Sequence, residues 1–260
     1  MKKALIKINM RKPTARKVLA NAGRILTDHG FSISKRPDFV IVIGGDGTIL
    51  HAAQEYCRKG TPILGVNFGG LGFLTDITLH QLPAVLDQIK RRRYTIEKRM
   101  MVQASFNRSS LYALNDISII TKIPGRAVEL SAAINKKHLY RFLADGIIIA
   151  TPTGSTAYSL ATGGPILIPS TEGLVITPIA PHTLSVRPIV LPANSVIRMT
   201  VGKKGKAILV ADGQHSKAIP NGKTVVFKRA TYHVNLMKPY QVTFFKTLRE
   251  KMKWGGREDA

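Results

Sequence analysis

The chain has 260 residues, 44 % of them hydrophobic, which is too apolar for a disordered chain and enough to bury one large core or two smaller ones. Its 39 Lys and Arg stand against 15 Asp and Glu, and the net charge of +24 draws anions: nucleic acid, an acidic membrane surface, or small substrates bearing several phosphates. No stretch approaches the roughly 18 consecutive apolar residues of a membrane span, MKKALIKINMRK does not read as a signal peptide, and the single Cys57 cannot form an internal disulfide; a cytoplasmic protein with no membrane partner is expected.

The first hundred residues alternate strand and helix signals. LIKI (5–8) reads as a strand. Thr14 to His29 carries Val18, Leu19, Ala22, Ile25 and Leu26 at helical spacing, and Gly30 stops it. FVIVI (39–43) is a fully buried strand that runs into GGDGT, followed by a helix from Thr48 to Arg58 and a strand from Pro62 to Asn67. Thr78 caps a helix reaching about Arg92, with Pro83 in its first turns. Strands alternating with helices predict a parallel sheet covered on both sides.

From about residue 98 the period changes to that of strands and short turns. LNDISIITK, VELSAAI, LYRFLADGIIIA, SVIRMTVG, AILVADG and TVVFKRATYHVNL predict a mostly β half, with Asn221-Gly222 as a hairpin signal. After Pro239, FFKTLREKMKW is helical and is expected to pack back on the first domain. The division is 1–97 plus the tail 239–260 for the α/β domain and 98–238 for the β domain.

Acids are scarce, so those embedded in apolar or glycine-rich sequence are informative: Asp46, Asp76, Asp116, Asp145 and Asp212. A buried carboxylate without a partner costs several kcal/mol, a large share of the roughly 5–15 kcal/mol that holds a domain folded. Asp145-Gly146 and Asp212-Gly213 read as hairpin corners, and Asp116 can satisfy nearby amides. Asp46 differs, because it stands where a buried parallel strand hands over to a helix, the crevice in which open α/β sheets bind ligands. Bare glycine amides and a helix N-terminus there suit phosphate. A carboxylate at the same place suggests a second task, accepting a proton or holding a metal ion.

Familiar motifs are absent: there is no G-x-x-x-x-G-K-[ST], no G-x-G-x-x-G after a strand, no G-x-S-x-G, and no metal-ligand spacing among the seven histidines, so no protein-built metal site is expected. TPTGSTAYSLATGGPI (151–166) reads as a short helix capped by Thr153 or Ser155, or as a surface of amides and hydroxyls able to line a dinucleotide. In NFGGLGFLTD the glycines leave Phe73 either in the core or free to lie against a flat ring such as adenine.

GGDGT alone resembles motifs of 6-phosphofructokinases and of diacylglycerol and sphingosine kinases. GGDGT followed in order by NFGGLGFLTD, LNDISI, DGIIIATPTGSTAYS, GGPI, PHTLSVRPIVLP and ADGQ resembles the NAD kinase family from about Phe39 to LREKMKW. The resemblance implies a Rossmann-like α/β N-terminal domain, a C-terminal β-sandwich, an NAD site formed between domains, and a homodimer or homotetramer. It implies transfer of the terminal phosphoryl group of ATP, or of inorganic polyphosphate, to the 2′-hydroxyl of the adenosine ribose of NAD, giving NADP. A divalent metal ion, Mg²⁺, is expected with the donor phosphates, held mainly by them and aided by Asp46 or Asp76.

Carried over by position, the resemblance makes Asp46 the base that takes the 2′-hydroxyl proton and Gly47 a backbone contact to NAD. It makes Phe73 the adenine-stacking residue, and Asn115 and Asp116 the pair that hydrogen-bonds adenine and ribose. Asp145 is the carboxylate near the nicotinamide half, the segment Thr156, Ala157, Tyr158 embraces adenosine, and Ser159 and Ala161 are further NAD-binding positions. His51, Arg126, Ala180 and Gln214 occupy positions that resemble further NAD contacts. The chain departs from the family pattern at Ala161, where many members carry Ser, and at Leu143, where many carry a basic residue; Arg141 reaches that place only if the strand pairing shifts. Two readings compete: a lipid kinase sharing GGDGT, which needs an apolar membrane-facing surface, and a basic nucleic-acid-binding protein, which gives no use for five acids in glycine-rich turns.

Overall fold

The structure is a computed structural model, described here over residues 2–10, 12–68, 72–75, 77–239 and 243–254. The buried apolar run at Phe39 forms a strand at the middle of a parallel sheet, and the elements around it follow the sequence signals closely. In chain order they are β1 (Lys3–Ile8), α1 (Ala15–Asp28), β2 (Ser32–Ile33), β3 (Phe39–Gly44), α2 (Asp46–Tyr56), β4 (Ile63–Asn67), β5 (Ile77–Thr78) and α3 (Leu82–Lys90). Thr14 is the N-cap of α1, and Gly30, at φ +75°, ends its turn. Thr78 and Gln81 form a capping box ahead of α3, which admits Pro83 in its first turn.

The β-rich half contains β6 (Tyr94–Phe106), β7 (Ser109–Ala113), β8 (Asp116–Thr121), β9 (Val128–Ile134), β10 (Lys137–Ala144), β11 (Gly146–Ala150), α4 (Tyr158–Ala161), β12 (Gly173–Ile179), β13 (Ile189–Pro192), β14 (Ile197–Val201), β15 (Ala207–Ala211), β16 (His215–Ile219) and β17 (Thr224–Pro239). The last helix is α5 (Phe244–Met252). The chain divides into two compact units, residues 1–98 with 234–260, and residues 99–233. The divisions fall inside β6 and β17.

In the first unit β2, β1, β3 and β4 pair in that order, all parallel, and the end of β17 adds to β4 through Leu236 and Ile63. Every residue of β3 is buried, as a strand covered by helices on both faces requires. Phe39, Ile41 and Ile43 pack with Leu26 of α1 and Leu82 and Leu86 of α3.

The second unit is an antiparallel sandwich. One sheet runs β13-β12-β11-β8-β15-β16; in the other, β10, β9, β14 and β17 pair in order and β6 pairs with both β17 and β7. Inward-facing Ile117, Ile119, Ile147 and Ile149 of the first sheet meet Leu130, Ile197 and Phe227 of the second. Complete burial of such side chains contributes about 1.5–3 kcal/mol each.

Of the three turn signals read as hairpins, two join strands of different sheets and one closes a hairpin. LYRFLADGIIIA is not one strand: it breaks at Asp145, where the chain leaves β10 in one sheet and enters β11 in the other. Asn221-Gly222 likewise joins strands of different sheets, held by Gly222 N–H to the Val201 carbonyl and Asn221 Nδ2 to the Lys203 carbonyl. The true hairpin corner is Asp212-Gly213, between the paired strands β15 and β16. No described helix is long and apolar enough to cross a membrane.

Candidate active site

In the first unit the site is built on the turn from β3 to α2. The helix begins two residues earlier than its periodicity predicts: Gly45 is the N-cap and Asp46 the first helical residue. Asp46 therefore sits in the positive field of the helix N-terminus, partly exposed. Its carboxylate accepts hydrogen bonds from the Phe73 and Leu74 backbone N–H groups, each at 3.1 Å. The Gly72 N–H bonds Thr75 Oγ1 at 3.1 Å, and buried Asn67 donates its Nδ2 to the same oxygen at 3.2 Å. A Cβ at Gly72 would overlap the Asp46 carboxylate, so glycine is what lets the loop come this close. The ring of Phe73 packs on Phe244 of α5, centroids 6.2 Å apart and planes inclined by 38°. Gly47 lies exposed in the first turn of α2 and His51 exposed about one turn further along. Asp76 lies outside the described residues.

Among the described residues two amides bond this carboxylate, part of its capacity of about four lone-pair sites. Asp46 thus keeps oxygen lone pairs for a hydroxyl while the same hydrogen bonds fix its rotamer and seat Phe73.

The second unit carries two groups of predicted residues at opposite ends of the paired strands β8 and β11. At one end are Asn115, partly buried, and Asp116, which opens β8 opposite Ala150 and is 7 % exposed. Gln214 belongs to the hairpin turn beside them, its N–H bonded to the Ala211 carbonyl. The TPTGST turn closes on the same point. Thr151 donates its N–H to the Asn115 carbonyl at 2.8 Å and its hydroxyl to the Leu114 carbonyl at 2.6 Å, and a Cβ at Gly154 would overlap the Asn115 backbone.

The cap of this turn is Thr151, whose hydroxyl accepts from Gly154 N–H at 3.2 Å; neither Thr153 nor Ser155 serves. Ser155 instead donates to the Pro152 carbonyl and accepts from Leu167 N–H. Thr156 and Ala157 are partly buried and Tyr158 is 45 % exposed. Ser159 is fully buried, its hydroxyl paired with Thr177 at 2.7 Å, and Ala161 is exposed.

At the other end Asp145 is partly buried between β10 and β11, its N–H bonded to the Ile179 carbonyl at 3.0 Å, with exposed Ala180 (φ +43°) next in line. Arg126, exposed, lies in the loop that follows β8 at this end. Six residues of extended β8 separate the two groups by about 17 Å. The β9–β10 pairing does shift, but upstream, between His138 and Tyr140. Arg141 is engaged with Glu129, Nε to Oε1 at 2.9 Å, and does not replace a basic side chain at Leu143.

Burial, and after it the Asp212 carboxylate, pushes the Asp116 carboxyl up to about 7. Among the described residues no three His, Cys, Asp or Glu side chains gather as metal ligands. Asn67, Thr75 and Asp212 were not legible as parts of a site. Asp212 carried a signal as an embedded acid, but its partners lie 96–98 residues away.

By fold the chain falls with the nicotinamide-dinucleotide kinases. Yeast NADH kinase, solved in complex with NADH, superposes with a TM-score of 0.89 at 23 % identity, covering 98 % of this chain and 89 % of that one. An NAD kinase from Archaeoglobus fulgidus, solved with ATP, gives 0.84 at 25 % identity, covering 98 % and 100 %. The sequence matches the ATP-NAD kinase N-terminal domain over residues 4–94 and the ATP-NAD kinase C-terminal domain over residues 114–239. It is 42 % identical to the NAD kinase of Bacteroides fragilis over 222 residues, 84 % of this chain and 77 % of the relative. It is 40 % identical to that of Koribacter versatilis over 240 residues, 88 % and 84 %. The chain belongs to the NAD kinase family. The lipid-kinase reading of GGDGT is set aside by that membership.

Proposed function

We propose that this chain transfers the terminal phosphoryl group of ATP to the 2′-hydroxyl of the adenosine ribose of NAD, giving NADP and ADP. The observation that carries the reading is the Asp46 carboxylate, fixed at a helix N-terminus by two loop amides and still able to accept from a hydroxyl. Asp46 orients the 2′-hydroxyl and takes its proton as the oxygen attacks phosphorus; the new O–P bond forms as the bridging bond to the departing ADP breaks. A positioned acceptor of this kind contributes about 10²–10⁴-fold. Phosphoryl transfer otherwise needs alignment and positive charge, and the glycine-flanked α2 N-terminus offers amides and a dipole for the donor phosphates.

The two ends of β8 and β11 supply the recognition a dinucleotide needs. In the second unit Asn115, Asp116 and the turn leading to Tyr158 hold adenosine and Asp145 with Ala180 holds the nicotinamide side; in the first, Phe73 is the candidate for ring stacking. Gly47, His51, Arg126, Ala161 and Gln214 add contacts, and Ser159 acts by bracing the turn through Thr177. A divalent ion, Mg²⁺, would be held mainly by the donor phosphates with Asp46 assisting, and would neutralise charge on those phosphates. The expected state is a homodimer or homotetramer in the cytoplasm.

The deciding experiment is a coupled measurement of NADP formation with ATP and with polyphosphate, using NAD and then NADH. Turnover with ATP and NAD is expected, and its absence overturns the reading. Asp46→Asn is expected to retain NAD binding by calorimetry while kcat falls by at least about 10²-fold. Near-wild-type turnover would remove Asp46 from the role of base. EDTA is expected to abolish activity and added Mg²⁺ to restore it; undiminished turnover in EDTA contradicts the metal requirement.

A further inference from the structure

Asn115 and Asp116 can serve as nucleotide contacts only if the backbone beneath them is fixed. That segment joins β7 to β8 as the irregular Leu114–Asn115, where no ladder satisfies its polar groups automatically. In the structure two residues from distant parts of the chain satisfy all six. Thr151 takes the Leu114 and Asn115 carbonyls. Asp212 takes the rest: its carboxylate accepts from Leu114 N–H at 2.9 Å, Asn115 N–H at 2.8 Å and Asp116 N–H at 3.2 Å, and its own N–H donates to the Asp116 carbonyl at 2.9 Å. Asp212 is buried and holds φ at +50°, a left-handed conformation that Asp, Asn and Gly tolerate best. A carboxylate bonded to three amides makes stronger, shorter hydrogen bonds than a neutral acceptor would. With the backbone thus occupied, neither the Asn115 nor the Asp116 side chain makes a hydrogen bond among the described residues.

We propose that Asp212 is the positioning residue of the adenosine subsite, gathering the amides of Leu114, Asn115 and Asp116 so that the two side chains above them stand ready for NAD. The proposal rests on the reading of Asn115 and Asp116 as NAD contacts. Asp212 has a second, electrostatic effect: its charge helps to hold a proton on the neighbouring Asp116, in addition to the effect of burial. Few other titratable groups face Asp116. The adjacent strands β11 (GIIIA) and β15 (AILVA) and the turn TPTGST carry none; β7 contributes Tyr112, His215 opens β16, and Arg99 meets the turn at Thr153. An ionised Asp116 accepts from the adenine amino group or a ribose hydroxyl, so NAD binding should tighten as pH rises through about 7.

The test compares Asp212→Asn and Asp212→Gly in the full chain, both compatible with the left-handed backbone. Asn keeps one oxygen, enough for the Asn115 and Asp116 amides, whereas Gly keeps none. We expect KM for NAD to rise a few-fold in the Asn variant and at least about tenfold in the Gly variant, with kcat at saturating NAD little changed. In both, the inflection of KM against pH should move below its wild-type position, since the neighbouring charge is gone from each. An unmoved inflection with unchanged KM overturns the proposal, as does a loss confined to kcat. Should the Gly variant not fold, the Asn variant decides through its KM for NAD, and an unchanged value overturns the proposal. Asp116→Asn separates the two readings. If it raises KM and abolishes the inflection while Asp212→Asn shifts nothing, the positioning role fails alone; if it changes neither, the adenosine assignment fails and this proposal with it.

Discussion

Three acids of one type meet three environments. Among the described residues the Asp46 carboxylate receives two amides and that of Asp212 three, whereas the Asp116 carboxylate, buried beside Asp212, accepts no hydrogen bond. Its carboxyl is accordingly raised to about 7, first by burial and then by the Asp212 charge. The consequence for stability has a definite sign. Below about pH 4 the folded and unfolded chains hold this proton alike; as pH rises toward 7 the unfolded chain releases it while the folded chain keeps it, and stability falls until the folded carboxyl also ionises. Asp116→Asn removes the titration with little change of shape. Without NAD, its melting temperature is expected to exceed the wild type by more at pH 8 than at pH 5, measured by calorimetry. A difference that does not grow with pH would mean that Asp116 carries no such penalty. The same variant should bind NAD more weakly, so that what destabilises the empty protein serves the occupied one.

At the scale of elements, α2, the loop 72–75 and α5 act together. The helix presents Asp46, the loop supplies the amides that hold it, and α5 backs the Phe73 ring with Phe244. The helix α5 is short, nine residues, and is anchored by Thr243, which accepts from Lys246 N–H at 3.3 Å, and by buried Thr247 and Leu248. Aromatic pairs of this geometry are worth about 0.5–1.5 kcal/mol beyond their buried area. Removing Phe244 should therefore loosen Phe73 without touching the reacting groups. Phe244→Ala is expected to raise KM for NAD several-fold with kcat nearly unchanged, and Phe244→Tyr to restore most of the loss, as read by steady-state kinetics. An equal fall in kcat would show that α5 acts on the chemical step instead.

At the scale of the molecule, the charge of +24 surrounds both substrates with an attractive field. The Debye length shrinks from about 30 Å at 0.01 M salt to about 8 Å at 0.15 M. KM for ATP should rise several-fold over that range while kcat, set by contacts at short distance, changes less; a salt-independent KM would leave the charge without a part in substrate capture. The surface should also bind nucleic acid weakly and without sequence preference, a by-product of the same field.

Much of this architecture was legible in the residues because it rests on local rules. The buried run ending in GGDGT defined a strand, a turn and a helix. The periodicity of 14–29 and 78–92 located α1 and α3, and the change of pattern near residue 98 marked the β half. The order of the glycine-rich motifs carries the family resemblance by itself. What the sequence could not decide is which groups meet across long separations. That Asp212 secures Leu114 to Asp116, that Thr151 rather than Thr153 caps its turn, and that Asn221-Gly222 crosses between sheets while Asp212-Gly213 closes a hairpin all depend on strand pairing. Periodicity and turn chemistry are short-range signals and belong to the sequence; a carboxylate's partner is settled only when folding brings amides from a remote segment within about 3 Å.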